Sequence, residues 1–207
     1  MVVLEAVADQ SLWIWHVFFG TAGALNDINI LERLPRFKPI ISGTSWYVQF
    51  TIQGRNYDHG YYLVDGIYPL WSTLIKGKGV TQDPKSSHYQ TLQEAFRKDI
   101  ERAFGVLQAK WAIIKLPARF WSPMDMILIM KTVVILHNMI IEDQQRHSLD
   151  TYKLPPHMRL VEPRSKPFSF RERQIRAIEL RSGQKHRCLT NDLIDFNWAQ
   201  LGAGNTI

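Results

Sequence analysis

Cys188 is the single cysteine among 207 residues, so no intrachain disulfide can form and no thiolate cage can hold a metal. A reducing intracellular compartment is the expected setting. Glycine-rich phosphate loops and G-x-S-x-G nucleophile elbows are also missing. His16, His59, His88 and His137 show no metal-ligand spacing among themselves and read as structural. The opening MVVLEAVADQ has no basic stretch leading into an apolar core, so it does not read as a signal peptide. The most apolar run, residues 127–141, is shorter than a bilayer span and carries Lys131, His137 and Asn138. It reads as a buried helix, with His137 and Asn138 as hydrogen-bonded core groups, and no membrane association is expected. Internal repeats and low-complexity tracts are absent.

What is present is enough apolar material for one sizeable core: hydrophobic residues make up 45% and charged residues 21%. The net charge is +6 and it is localised. Residues 159–187 hold nine Lys and Arg against three Glu, which accounts for the whole excess. A basic segment on a neutral body points to a polyanion, and a solvated basic helix is the plainer alternative.

Along the chain, 2–9 and 12–20 read as two apolar strands forming a hairpin, with Trp13 and Trp15 sharing one face. Residues 24–34 read as a short helix with Asn26 or Asp27 near its start. Residues 46–54 read as a strand stopped by Gly54 and Asn56. Residues 61–66 read as a strand buried on both faces, as in a mixed sheet. A loop is expected over 75–87, then a helix from about Ser87 with Leu92, Phe96, Ile100, Ala103, Phe104 and Leu107 on one stripe. Ser122-Pro123 opens another helix reaching about Asp143, Ser as cap and Pro at the first helical position. The proline-containing stretch 145–169 reads as irregular, and helices follow near 170–182 and 190–200.

Two acids stand out. Asp65 follows the apolar run YYLV and precedes Gly, a position suited to a strand end, though Asp-Gly is also a common turn dipeptide. Glu101 lies beside the apolar stripe of the downstream helix, four residues after Arg97, where a surface ion pair is the plainer explanation. Carboxylates from a strand end and a helix can converge on a hard divalent cation, the arrangement used for phosphoryl transfer. Without metal such a pair repels: two unit charges 4 Å apart cost about 4 kcal/mol at an effective dielectric of 20.

LEAVADQSLWIWHVFFGTAGALNDINIL, YYLVDGIYPLW, FRKDIERAFGVLQAKW and VVILHNMIIED resemble the PIF/Harbinger superfamily of DDE transposases in its plant-type branch. So does the tail RERQIRAIELRSGQKHRCLTNDLIDFNW. The resemblance implies an α/β, RNase H-like mixed sheet flanked by helices, with three acids at its catalytic edge. It places the family's second acid on Asp65 and its third on Glu101, with residues 66–100 between them. Both would be catalytic and both metal ligands, for Mg²⁺ or Mn²⁺. The implied activity is DNA cleavage and strand transfer. DNA is the implied partner, with a separate Myb-like DNA-binding protein and a homo-oligomer also open. The nucleus is the expected location, with the cytoplasm open. Arg171, Arg173, Arg176, Arg181, Lys185 and Arg187 are the candidate DNA contacts.

The family's first Asp sits on a strand upstream of the one reading VVLEAVAD, and this sequence begins with that second strand. The expectation is therefore an incomplete chain that lacks the first strand and is inactive or weakly active alone. Glu5 and Asp9 share one face, and neither is promoted to the missing ligand. The expected organisation is a partial RNase H-like domain over 1–145, a connector over 146–169 and a helical C-terminal extension over 170–207. The rival reading is a non-catalytic, domesticated transposase acting through DNA, chromatin or protein contacts.

Overall fold

The computed structural model describes residues 2–22, 37–45, 47–79, 81–115, 122–146, 155 and 157–202. The expected helix at 24–34, with Asn26 and Asp27, and the end of the tail fall outside them. Among the described residues the architecture is mixed α/β with three small sheets. The chain divides into two compact units, residues 1–30 with 95–152 and residues 31–94 with 153–207. The units interleave in sequence.

The first unit is built on a hairpin. Strand β1 (Val2–Ala8) pairs antiparallel with β2 (Ile14–Ala22), with register shifts at Val3/Leu4 and Val7/Ala8. Asp9 closes the turn. Its Oδ1 accepts from the Ser11 amide at 2.9 Å and the Trp13 amide at 3.1 Å, and its Oδ2 from Trp15 Nε1 at 2.7 Å. With both oxygens engaged by the turn, Asp9 is a structural residue here. Helix α2 (Pro84–Lys110) contributes its later turns to this unit, followed by the short α3 (Ala112–Lys115) and the long α4 (Pro123–Arg146). Ile14, Ala103, Leu107, Met130, Val133 and Val134 form the core.

Two polar side chains tie α4 to the hairpin, as their place in an apolar run suggested. His137, fully buried, is bonded through Nε2 to the Leu12 carbonyl at 2.9 Å. Asn138 accepts from the Ile14 amide at 3.0 Å and donates to the Ile14 carbonyl at 2.8 Å. The helix is longer than the apolar run, and Met124–Gln145 is long and apolar enough to cross a bilayer by length and composition. Its packing on Ile14, Ala103 and Leu107 makes it the core helix of this unit.

In the second unit, α1 (Phe37–Ser42) precedes β3 (Tyr47–Ile52), which turns at Gln53-Gly54 into β4 (Arg55–Tyr57). Both turn residues have positive φ, 51° and 74°, the requirement of the two-residue hairpin turn whose twist matches its strands. Asn56 therefore pairs with Thr51 rather than stopping the strand. β7 (Met158–Val161) adds to the other edge of β3, giving the order β4-β3-β7. This strand lies inside the stretch expected to be irregular; its pairing with Tyr47–Phe50 is long-range and leaves no local periodicity.

β5 (Tyr62–Val64) pairs in parallel with β6 (Leu74–Lys76). β5 is half-buried, while Leu74 and Ile75 of β6 are fully buried. The expectation of a doubly covered strand thus fits β6, which straddles the start of the stretch expected to be a loop, better than β5. Helix α2 begins at Pro84, before the expected Ser87: Asp83 Oδ2 accepts the Ser86 amide at 3.0 Å, a side-chain cap ahead of a first-turn proline. Helices α5 (Phe170–Leu180) and α6 (Gly183–Gly202) follow. Ser169 and Glu172 form a reciprocal capping box on α5. Phe50, Ile52, Ile75, Tyr89, Leu189, Leu193 and Ile194 make the core of this unit.

Candidate catalytic acids and basic surface

Asp65 follows β5 directly and is exposed. Its Oδ1 accepts from the Gly66 amide at 3.1 Å, and its carbonyl from the Tyr68 amide at 3.2 Å. The turn is stapled from β6: Lys76 Nζ donates to the Gly66 carbonyl at 3.0 Å and the Tyr68 carbonyl at 3.1 Å. The structure thus joins the two plain descriptions of Asp65, since it is both the strand end and the first residue of a hydrogen-bonded turn. Lys76 was not singled out from sequence, because its partners are carbonyls eight and ten residues away.

Glu101 is exposed on α2, in the first unit, whereas Asp65 belongs to the second. Nearby Asp99 points the other way: it is buried and pairs with Arg102 at 2.8 Å. Both candidate acids offer the hard carboxylate oxygens that Mg²⁺ or Mn²⁺ takes. Among the described residues no group of three or more His, Cys, Asp or Glu side chains is arranged to hold a metal ion. The donor type of each fits a divalent cation.

The six basic candidates differ in what already engages them. Arg176 is half-buried, donates from Nε to the Ile40 carbonyl at 3.0 Å and lies over the rings of Tyr47 and Phe168 at 5.2 and 5.3 Å. Arg181 sits over Trp71 at 5.0 Å, and Lys185 pairs with Glu179 at 3.1 Å. These contacts bind α5 and α6 to their own unit. Arg171, Arg173 and Arg187 are exposed.

Two further polar clusters escaped the sequence reading. Asp192 on α6 is buried and accepts from Tyr57 Oη at 2.6 Å and Arg55 Nη1 at 2.9 Å. Burial first, then the bond to Asp192, pushes the Tyr57 hydroxyl above its ordinary range. His59 Nε2 lies 3.0 Å from Ser72 Oγ. The Ser72 hydroxyl is buried and 3.0 Å from the carbonyls of Glu179 and Leu180. It donates to that pair of acceptors and takes the histidine N–H, so the cluster is a structural tie, not a nucleophile with its base. Burial, then Arg176 and Lys185, lowers His59 to about 4.

A family-wide sequence model described as plant transposon protein matches residues 1–148. The chain belongs to this plant transposon protein family. The match contains both Asp65 and Glu101 and ends before the basic segment, so α5 and α6 lie outside it. No curated protein and no solved structure matches the chain. As a member of the plant transposon protein family it is a transposon-derived protein.

Proposed function

We propose that this transposon-derived protein carries the metal-dependent DNA-cleaving and strand-transfer chemistry of the PIF/Harbinger DDE transposases, on an RNase H-like framework, with Asp65 and Glu101 as two of three acidic metal ligands. The observation that carries the reading is Asp65: an exposed carboxylate at the end of β5, in a turn stapled by Lys76, within the matched region. Bound Mg²⁺ or Mn²⁺ supplies activation of the attacking water or 3′-hydroxyl and stabilisation of the leaving oxygen. Asp65 and Glu101 would fix such an ion, and Lys76 positions Asp65 by holding its turn. The phosphate contacts narrow to the exposed Arg171, Arg173 and Arg187, because Arg176, Arg181 and Lys185 have partners within the protein. Nuclear residence and a Myb-like DNA-binding partner go with this reading.

A second reading is a non-catalytic DNA- or protein-binding role. It is favoured by one observation, that no third ligand joins a metal group among the described residues. Nicking of supercoiled DNA in Mn²⁺ separates the two. Nicking by the unaltered chain that Asp65→Asn and Glu101→Gln each abolish supports the catalytic reading. No nicking, with DNA binding retained, favours the binding role or a chain that is inactive alone. Equal nicking by all three rules out these acids.

A further inference from the structure

The sheet β4-β3-β7 has one face on the core of the second unit and one face outside it. Phe50 and Ile52 are part of that core, and Tyr57 and Met158 pack against it. Their neighbours turn outward, since successive side chains on a strand take opposite faces. Gln49, Thr51, Asn56, Asp58, His157 and Arg159 line one shallow depression of about 290 Å³. Register sets Gln49 level with Arg159, and Thr51 level with Asn56. Thr51 Oγ1 donates to Asn56 Oδ1 at 2.7 Å, which fixes how that amide is turned. Gln49 and Arg159 make no hydrogen bond or ion pair among the described residues.

These side-chain types point to a ligand. Asn and Gln make paired contacts with the N6 and N7 edge of adenine, and Arg with the O6 and N7 edge of guanine. Asp58, the one acid lining the depression, suits the cytosine amino group and repels phosphate, so base edges fit here better than a backbone. Adjacent strands lie about 4.8 Å apart, so the axes of β4 and β7 are separated by about 10 Å, within a major groove roughly 12 Å wide. An apolar small molecule fits poorly, because the outward side chains are polar. A phosphate contact lies close by in the same unit. Tyr47 shares the outer face, two residues before Gln49, and Arg176 of α5 sits 5.2 Å over its ring. Arg173, which is exposed, precedes Arg176 by about 4.5 Å along α5 and lies within about 60° of it around the axis. We propose that this sheet face reads duplex DNA from the major groove, Asn56 and Gln49 suited to adenine and Arg159 to guanine, with Arg173 on a flanking phosphate. Such readout rests on the DNA partnership of the proposed function but not on cleavage.

The test is selection by the full chain from a pool of randomised duplex DNA, without divalent metal. The bound fraction is sequenced, and affinities are measured from about 50 to 200 mM salt. The expected result is a short preferred site. Arg159→Ala and Asn56→Ala should each lower discrimination at one or two base pairs by about 5- to 150-fold and leave the other positions alone. Arg159→Lys keeps the charge but not the planar fork, so the salt slope should hold while the guanine preference falls. Arg173→Ala should weaken all sequences alike and flatten the salt slope by about 0.9. Circular dichroism confirms that each variant retains its fold. A parent chain that binds duplexes without sequence preference overturns the proposal and leaves the DNA partnership standing. So does a preference untouched by both Arg159→Ala and Asn56→Ala, or an Arg159→Ala effect confined to the salt slope, which makes Arg159 a phosphate contact. No binding to any duplex overturns the DNA partnership as well.

Discussion

Replacing Asp192 should loosen α6 from β4, because one carboxylate holds both Tyr57 and Arg55. The Asp192 side chain is 10% exposed, whereas Arg55 is 59% exposed and regains water when its partner is lost. The cost therefore rests on the Tyr57 hydroxyl, whose 2.6 Å bond to a charged acceptor in a half-buried site is the short, strong kind. A hydrogen bond to a charged group contributes about 1.5–3 kcal/mol, so Asp192→Ala should lose about that much. Asp192→Asn keeps an acceptor but not the charge, and should lose roughly half. Tyr57→Phe removes the same bond from the other side and leaves the carboxylate with Arg55. Urea unfolding of the four proteins — parent, Asp192→Ala, Tyr57→Phe and the double variant — closes a thermodynamic cycle, and the expected coupling is at least ~1 kcal/mol. Additive losses, with coupling inside ~0.3 kcal/mol, would refute the claim that this bond joins the helix to the sheet.

Two other perturbations test the second unit. His59 is held neutral by burial, with a folded pKa of about 4 against 6.5 ordinarily, so the unfolded chain takes up a proton between these values and the folded chain does not. Stability from this site is present above pH 6.5, declines as pH falls, and levels off below about 4, with up to about 2 kcal/mol lost by pH 5. Denaturant midpoints of the parent and His59→Gln should diverge over that window; parallel curves would contradict the assignment. Gly43 has φ +73° and is buried against Phe168, whose ring an added Cβ would strike. Gly43→Ala should lower stability by roughly 2–4 kcal/mol through the left-handed backbone and the displaced ring, and a change under 0.5 kcal/mol would show that the ring relaxes freely.

The sequence by itself determined the local events of this fold. Ser122-Pro123 starts α4, and the strand-forming residues of 61–64 carry the chain to an exposed Asp65. Asp83-Pro84, Gln53-Gly54 and Ser169…Glu172 are signals of the same local kind that the sequence reading passed over, since caps and tight turns are made by residues within four positions of one another. The apolar run of α4 likewise announced a core helix whose His137 and Asn138 needed partners. Only the tertiary structure decided what those partners are, the turn carbonyl and strand backbone of a hairpin 124 or more residues earlier. It also decided that Met158–Val161 is a strand, since its hydrogen bonds go to Tyr47–Phe50, over 100 residues away. The same holds for the basic segment. Counting Lys and Arg made Arg176 and Arg187 equivalent, yet the Ile40 carbonyl and two aromatic rings hold the first while the second stays exposed. Charge and periodicity are properties of neighbours in the chain; burial and partnership are properties of neighbours in space, and only folding creates those.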